Sequence, residues 1–123
     1  MIKEKLRRVY DLHETYQRNQ EFLSRSDNVG SRASIRRQQV FLKEKIAAAL
    51  KEIQLEVQPK LFVVYLITHQ EDKRTVVMRA ETKEDIKFYI QLLQIVRGET
   101  YIITSVQELP TIYEGHINFI VKH

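Results

Sequence analysis

Along the first 57 positions apolar residues recur at steps of three and four, and beyond Pro59 they change to runs and alternation. That change of period divides the chain into a helical part and a part built on strands. In the longest helical stretch, Arg32 to Glu56, the side chains of Ile35, Leu42, Ile46, Ala49 and Ile53 fall on one face, uninterrupted by Gly or Pro. Ahead of it Ile2, Leu6, Val9, His13, Tyr16, Gln20 and Leu23 form a heptad-like seam, weaker where His and Gln stand in for apolar residues. Tyr10 and Leu12 broaden this face, and Phe22 points almost opposite to it.

Residues 24–31, SRSDNVGS, carry the Ser, Asp, Asn and Gly of a turn, with Ser31 or Ser34 placed to cap the second helix. So short a connection predicts an antiparallel, coiled-coil-like helical hairpin. Val40 and Phe41 fall off the second helix's apolar stripe and need another surface to cover them.

After Pro59, Leu61–Thr68 (LFVVYLIT) is apolar on both alternating sets, the mark of a strand covered on both faces. The polar QEDKR turns the chain into a second strand, Thr75–Ala80, completing a β-hairpin. Thr82 with Asp85 reads as a capping box for a helix bearing Ile86, Tyr89, Ile90, Leu93 and Val96, stopped by Gly98 after Arg97. Thr100–Leu109 and Ile117–Val121 are predicted as a third and a fourth strand, separated by Pro110 and Gly115. The expected class is α+β: a helical hairpin over 1–57, then a small β-β-α-β-β domain over 58–123. The helix over 83–97 would cover one sheet face, leaving the other to the hairpin or to a partner.

Charge changes this picture, because it is uneven. Residues 1–57 hold 12 Lys/Arg against 8 Asp/Glu, whereas residues 58–123 hold 8 of each, so the net +4 belongs wholly to the helical part. Arg25, Arg32, Arg36 and Arg37, with Lys43 further on, are the candidate phosphate contacts, helped by Ser31, Asn28 and the positive end of the helix. A composition 43% hydrophobic and 29% charged is that of a folded protein. The longest apolar run, Leu61–Ile67, is far too short to span a bilayer, and the charged N-terminal stretch lacks the apolar core of a secretory signal. A cytoplasmic location is expected, with no membrane partner.

Candidate chemistry adds little. With no cysteine there is no disulfide, thiolate metal site or cysteine nucleophile. The four histidines, His13, His69, His116 and His123, include no metalloprotease pair, and a metal site joining His69 and His116 to nearby acids is outweighed by the plain reading. The carboxylate pairs lie in solvated stretches, the glycines are isolated, and no serine elbow is present. The reading is therefore of a non-enzymatic protein without cofactor or metal. The favoured function is a self-associating protein-interaction or regulatory module, an adaptor or inhibitor. Its candidate contacts, for a partner or a second copy, are Phe22, Val40, Phe41, Ile112 and Tyr113. The alternative is a nucleic-acid-binding protein using the arginine-rich end of the hairpin, although the RNP aromatic and zinc-finger signatures are missing.

Overall fold

A computed structural model describes residues 2–25, 28–56 and 58–109. The predicted strand over 117–121 and the loop with Ile112 and Tyr113 lie outside the described residues. The chain forms two compact units, Met1–Leu55 and Glu56–His123. The class is α+β, with the element order α1 (Ile2–Arg25), α2 (Val29–Leu55), β1 (Lys60–Thr68), β2 (Lys73–Ala80), α3 (Lys83–Arg97) and β3 (Tyr101–Leu109).

In the first unit α1 and α2 pack antiparallel as a hairpin. The Arg32 guanidinium meets the Leu23 carbonyl at the turn end. At the far end Lys5, Arg8 and Leu12 share a groove with Ala48, Ala49 and Glu52. Contact kept from one end to the other separates this pair from the steeply crossed helices of a helix-turn-helix. Val9, Leu42, Ile46, Leu50 and Ile53 are buried along the seam. Their spacing of three and four is what brings them onto one line.

α2 starts at Val29, inside the 24–31 stretch whose composition is that of a turn. Its cap is neither Ser31 nor Ser34. Asn28 accepts the Ser31 N–H at its Oδ1 (3.0 Å), and its carbonyl accepts the Arg32 N–H (2.9 Å). An Asn side chain oxygen satisfies an orphan donor of the first turn as well as a Ser hydroxyl does, and here it comes first in the chain.

One polar layer interrupts the hairpin seam. Gln39 is only 7% exposed, and its Nε2 donates to the Tyr16 carbonyl (3.1 Å) and the Gln20 Oε1 (3.2 Å). Its Oε1 accepts from Asn19 Nδ2 (2.9 Å), which also donates to Gln38 Oε1 (3.0 Å). A buried amide is tolerated because each of its polar atoms is paired. Misaligning the helices by one turn would break all of these bonds at once.

In the second unit three antiparallel strands lie in the order β2-β1-β3. β2, α3 and β3 form a split crossover with β1 lying between the two parallel outer strands. Phe62, Val64 and Leu66 point to one face and are buried, together with Met78, Ala80 and Tyr101. α3 covers this face with Ile86, Tyr89, Ile90 and Leu93, and just beyond it Glu99 pairs with Arg74 of β2 (3.8 Å). Buried Tyr89 donates its hydroxyl to Gln58 Oε1 (3.4 Å). On the other face Leu61 and Val63 are buried, while Tyr65 is 37% exposed.

The ends of α3 are those its sequence predicts. Thr82 Oγ1 accepts the Asp85 N–H and the Asp85 carboxylate accepts the Thr82 N–H, both at 3.3 Å. Gly98 adopts the left-handed conformation (φ 64°) that closes the helix, its N–H donating to the Gln94 carbonyl. The β1–β2 turn is less conventional. Glu71, a residue with a Cβ, holds φ 67°, and the Thr68 hydroxyl accepts from the Gln70 and Asp72 N–H groups around it.

Candidate functional site

The basic end of the hairpin is assembled from side chains with different duties. Arg25 is engaged by Glu21 one turn before it (3.1 Å), an exposed pair screened by water and salt. Arg32 is half-buried and donates to the Leu23 carbonyl, tying the start of α2 to the end of α1. Asn28 and Ser31 are joined in the helix cap. Arg36 and Arg37 are exposed, and Lys43 is half-buried. Successive helix positions are turned by about 100°, so Arg36 shares a flank with Lys43 while Arg37 faces another way. Of the five candidate phosphate contacts, two are occupied in local structure and the other three are split between flanks.

The same rotation separates the candidate interface residues. Val40 (61% exposed) and Phe41 (56%) lie on opposite flanks of the hairpin, so they do not make one apolar surface. Phe41 stands on the ridge Arg37–Phe41–Lys45, and the Lys45 Nζ sits 4.7 Å above its ring. Val40 belongs instead to a line of small apolar residues, Val29, Ala33, Val40 and Ala47, spaced by four and seven. Phe22 (41% exposed) borders a shallow dent of about 350 Å³ with Arg18, Glu21 and Arg25.

On the Phe41 flank the two helices leave a groove of about 290 Å³. Its floor is Leu12, Ala48 and Ala49, and its rim carries Lys5, Arg8 and Lys45 with one carboxylate, Glu52. The groove exists because alanines occupy two successive positions of α2, where larger side chains would fill the space between the helices. The apolar stripe of neither helix reveals it. Its signal was present in the cations of α1 at Lys5 and Arg8, spaced by three, opposite Lys45 once the helices run antiparallel.

A second cleft, of about 360 Å³, lies at the sheet among Tyr65, Ile67, Lys73, Thr75, Thr104 and Ser105. It sits where β3 bulges opposite Tyr65 and Leu66, and Thr104 donates its hydroxyl to the Tyr65 carbonyl (3.1 Å). Among the described residues every buried side-chain nitrogen and oxygen has a hydrogen-bond partner, so none is aimed unpaired into either cleft. No group of three His, Cys, Asp or Glu among them is arranged to hold a metal ion, and His116 lies outside the described residues. His13 is half-buried on the seam, within 3.3 Å of the Gln17 amide, and burial pulls its pKa below the ordinary value. Burial also raises the pKa of Tyr16. No helix among the described residues is long and apolar enough to cross a membrane. Comparison of the chain with protein-family models, curated proteins and solved structures gives no match.

Proposed function

We propose that the protein is a non-enzymatic cytoplasmic binding module that docks another protein on its helical hairpin and self-associates through the same unit. One observation carries this reading: large apolar side chains stand exposed on both outer flanks of a hairpin whose own seam is already filled. Burying a side chain such as Phe41 at a contact is worth about 1.5–3 kcal/mol. Its neighbours Arg37 and Lys45 keep the surrounding surface soluble and give it a sign. The two flanks divide the work. The Phe41 flank, with its cationic groove, suits a different protein. The Val40 flank, lined with small residues and bordered by Arg36, Lys43 and Glu44, suits a second copy, since close approach costs least where side chains are short.

Light scattering on the full chain over a range of concentrations tests the self-association. Dimer formation that Val40→Glu abolishes and Phe41→Glu leaves intact is the expected result, and a strict monomer at every concentration refutes it. A mobility-shift assay with DNA and RNA at low salt tests the competing nucleic-acid reading. Retardation that falls steeply with salt and disappears in Arg36→Glu/Arg37→Glu would replace the protein-binding reading with that one.

A further inference from the structure

We propose that the groove beside Phe41 is a docking channel for an acidic amphipathic helix of a partner protein, seated along α1 and α2 as a third helix. This rests on the protein-binding reading above and names the chemistry of the partner. The floor fixes the shape of the occupant. Ala48 and Ala49 present almost no side chain above the backbone, and Leu12 closes the bottom, so the apolar ridge of another helix can approach closely between two antiparallel helices. Phe41, one turn along the same flank from Lys45, extends the apolar strip beyond the groove.

The rim fixes the sign. Arg8 on one wall and Lys45 on the other outnumber Glu52, the carboxylate among the lining residues. A helix entering with its apolar stripe downward places its flanking residues against these cations, where carboxylates gain and lysines are repelled. The same count argues against a second copy at this flank, because a symmetric pairing would set two cationic rims against each other. It argues against a nucleic acid as well. Phosphates would have to lie over an apolar floor beside Glu52, with too few cations to line a backbone.

Selection from a displayed library of random peptides of about 18 residues, five turns of helix, against the full chain tests the proposal. Selected binders should carry apolar residues at steps of three and four with Asp or Glu beside them. As labelled peptides they should bind the wild-type chain with an affinity that falls as salt rises. Lys45→Glu and Ala48→Trp, both at exposed positions, should each weaken that binding by about tenfold or more, whereas Val40→Glu should leave it unchanged. Binders that are basic or uncharged, or acidic ones indifferent to both groove substitutions, overturn the groove assignment while keeping the protein-binding reading. A library that yields no binder at all overturns both. Tight binding of single-stranded DNA lost in the same two variants would likewise overturn it in favour of a polyanion site.

Discussion

The polar layer at Gln39 offers the sharpest test of how the hairpin holds its alignment. Gln39→Ala removes three hydrogen bonds, to Tyr16, Gln20 and Asn19, at 2.9 to 3.2 Å. A net worth of about 0.5–1.5 kcal/mol each sets an upper range of about 1.5–4.5 kcal/mol. The lower end applies, because few groups are left stranded. Asn19 keeps Gln38 as a partner, and Gln20 is exposed and returns to water. The expected loss is therefore about 1.5–2 kcal/mol. Gln39→Leu removes the same bonds but keeps the volume and adds apolar burial, so it should be neutral or slightly stabilising. Amide hydrogen exchange on the full chain, read separately for α1 and α2, gives the opening free energy of the hairpin without requiring the whole chain to unfold in one step. A double-mutant cycle of Asn19→Ala with Gln39→Ala should return a coupling of about 0.5–1.5 kcal/mol. A Gln39→Ala hairpin as protected as the wild type, with no coupling to Asn19, would show that the layer contributes nothing.

His13 makes the hairpin sensitive to acid. Burial favours its neutral form in the folded state, so the unfolded chain takes up the proton more readily. The stability tied to His13 is thus complete above its ordinary value of about 6.5 and is lost as pH falls through the lower folded value. His13→Leu should flatten that part of the pH profile of hairpin protection, and an unchanged profile would refute the assignment. Ile46 is fully buried while Phe41 is exposed, so Ile46→Ala should cost about 2–5 kcal/mol and Phe41→Ala no more than about 0.5 kcal/mol in denaturant titrations. Equal costs would mean that Phe41 is a core residue of the isolated chain. At the β1–β2 turn, Glu71→Gly relieves about 1–2 kcal/mol of left-handed strain against the entropy Gly adds to the unfolded chain, about 0.5–1 kcal/mol. A thermal midpoint a few degrees higher is expected, and a lower one would show that the turn does not depend on this backbone angle.

What the sequence determined by itself was local. The helical spacing of Leu42, Ile46 and Ile53, the Thr82/Asp85 box and Gly98 each specify helix faces and ends through neighbours one or two turns away. The apolar residues on both alternating sets of Leu61–Thr68 specified a strand covered on both faces, and α3 covers the face of Phe62, Val64 and Leu66. One local choice went the other way for a local reason: Asn28 took the cap expected of Ser31 or Ser34. What only the tertiary structure decided concerns residues far apart in sequence. Gln39 became an interior residue because Tyr16, Asn19 and Gln20 lie opposite it, 19 to 23 positions away. Arg32 was withdrawn from the basic end by a carbonyl nine residues before it. Val40 and Phe41, adjacent in sequence, were sent to opposite flanks, because which flank is which depends on where the second helix lies. The cationic groove is the plainest instance. Lys5, Arg8 and Lys45 are unremarkable surface charges until antiparallel packing sets them around Leu12 and two alanines, and only then do they form a surface with a shape and a sign.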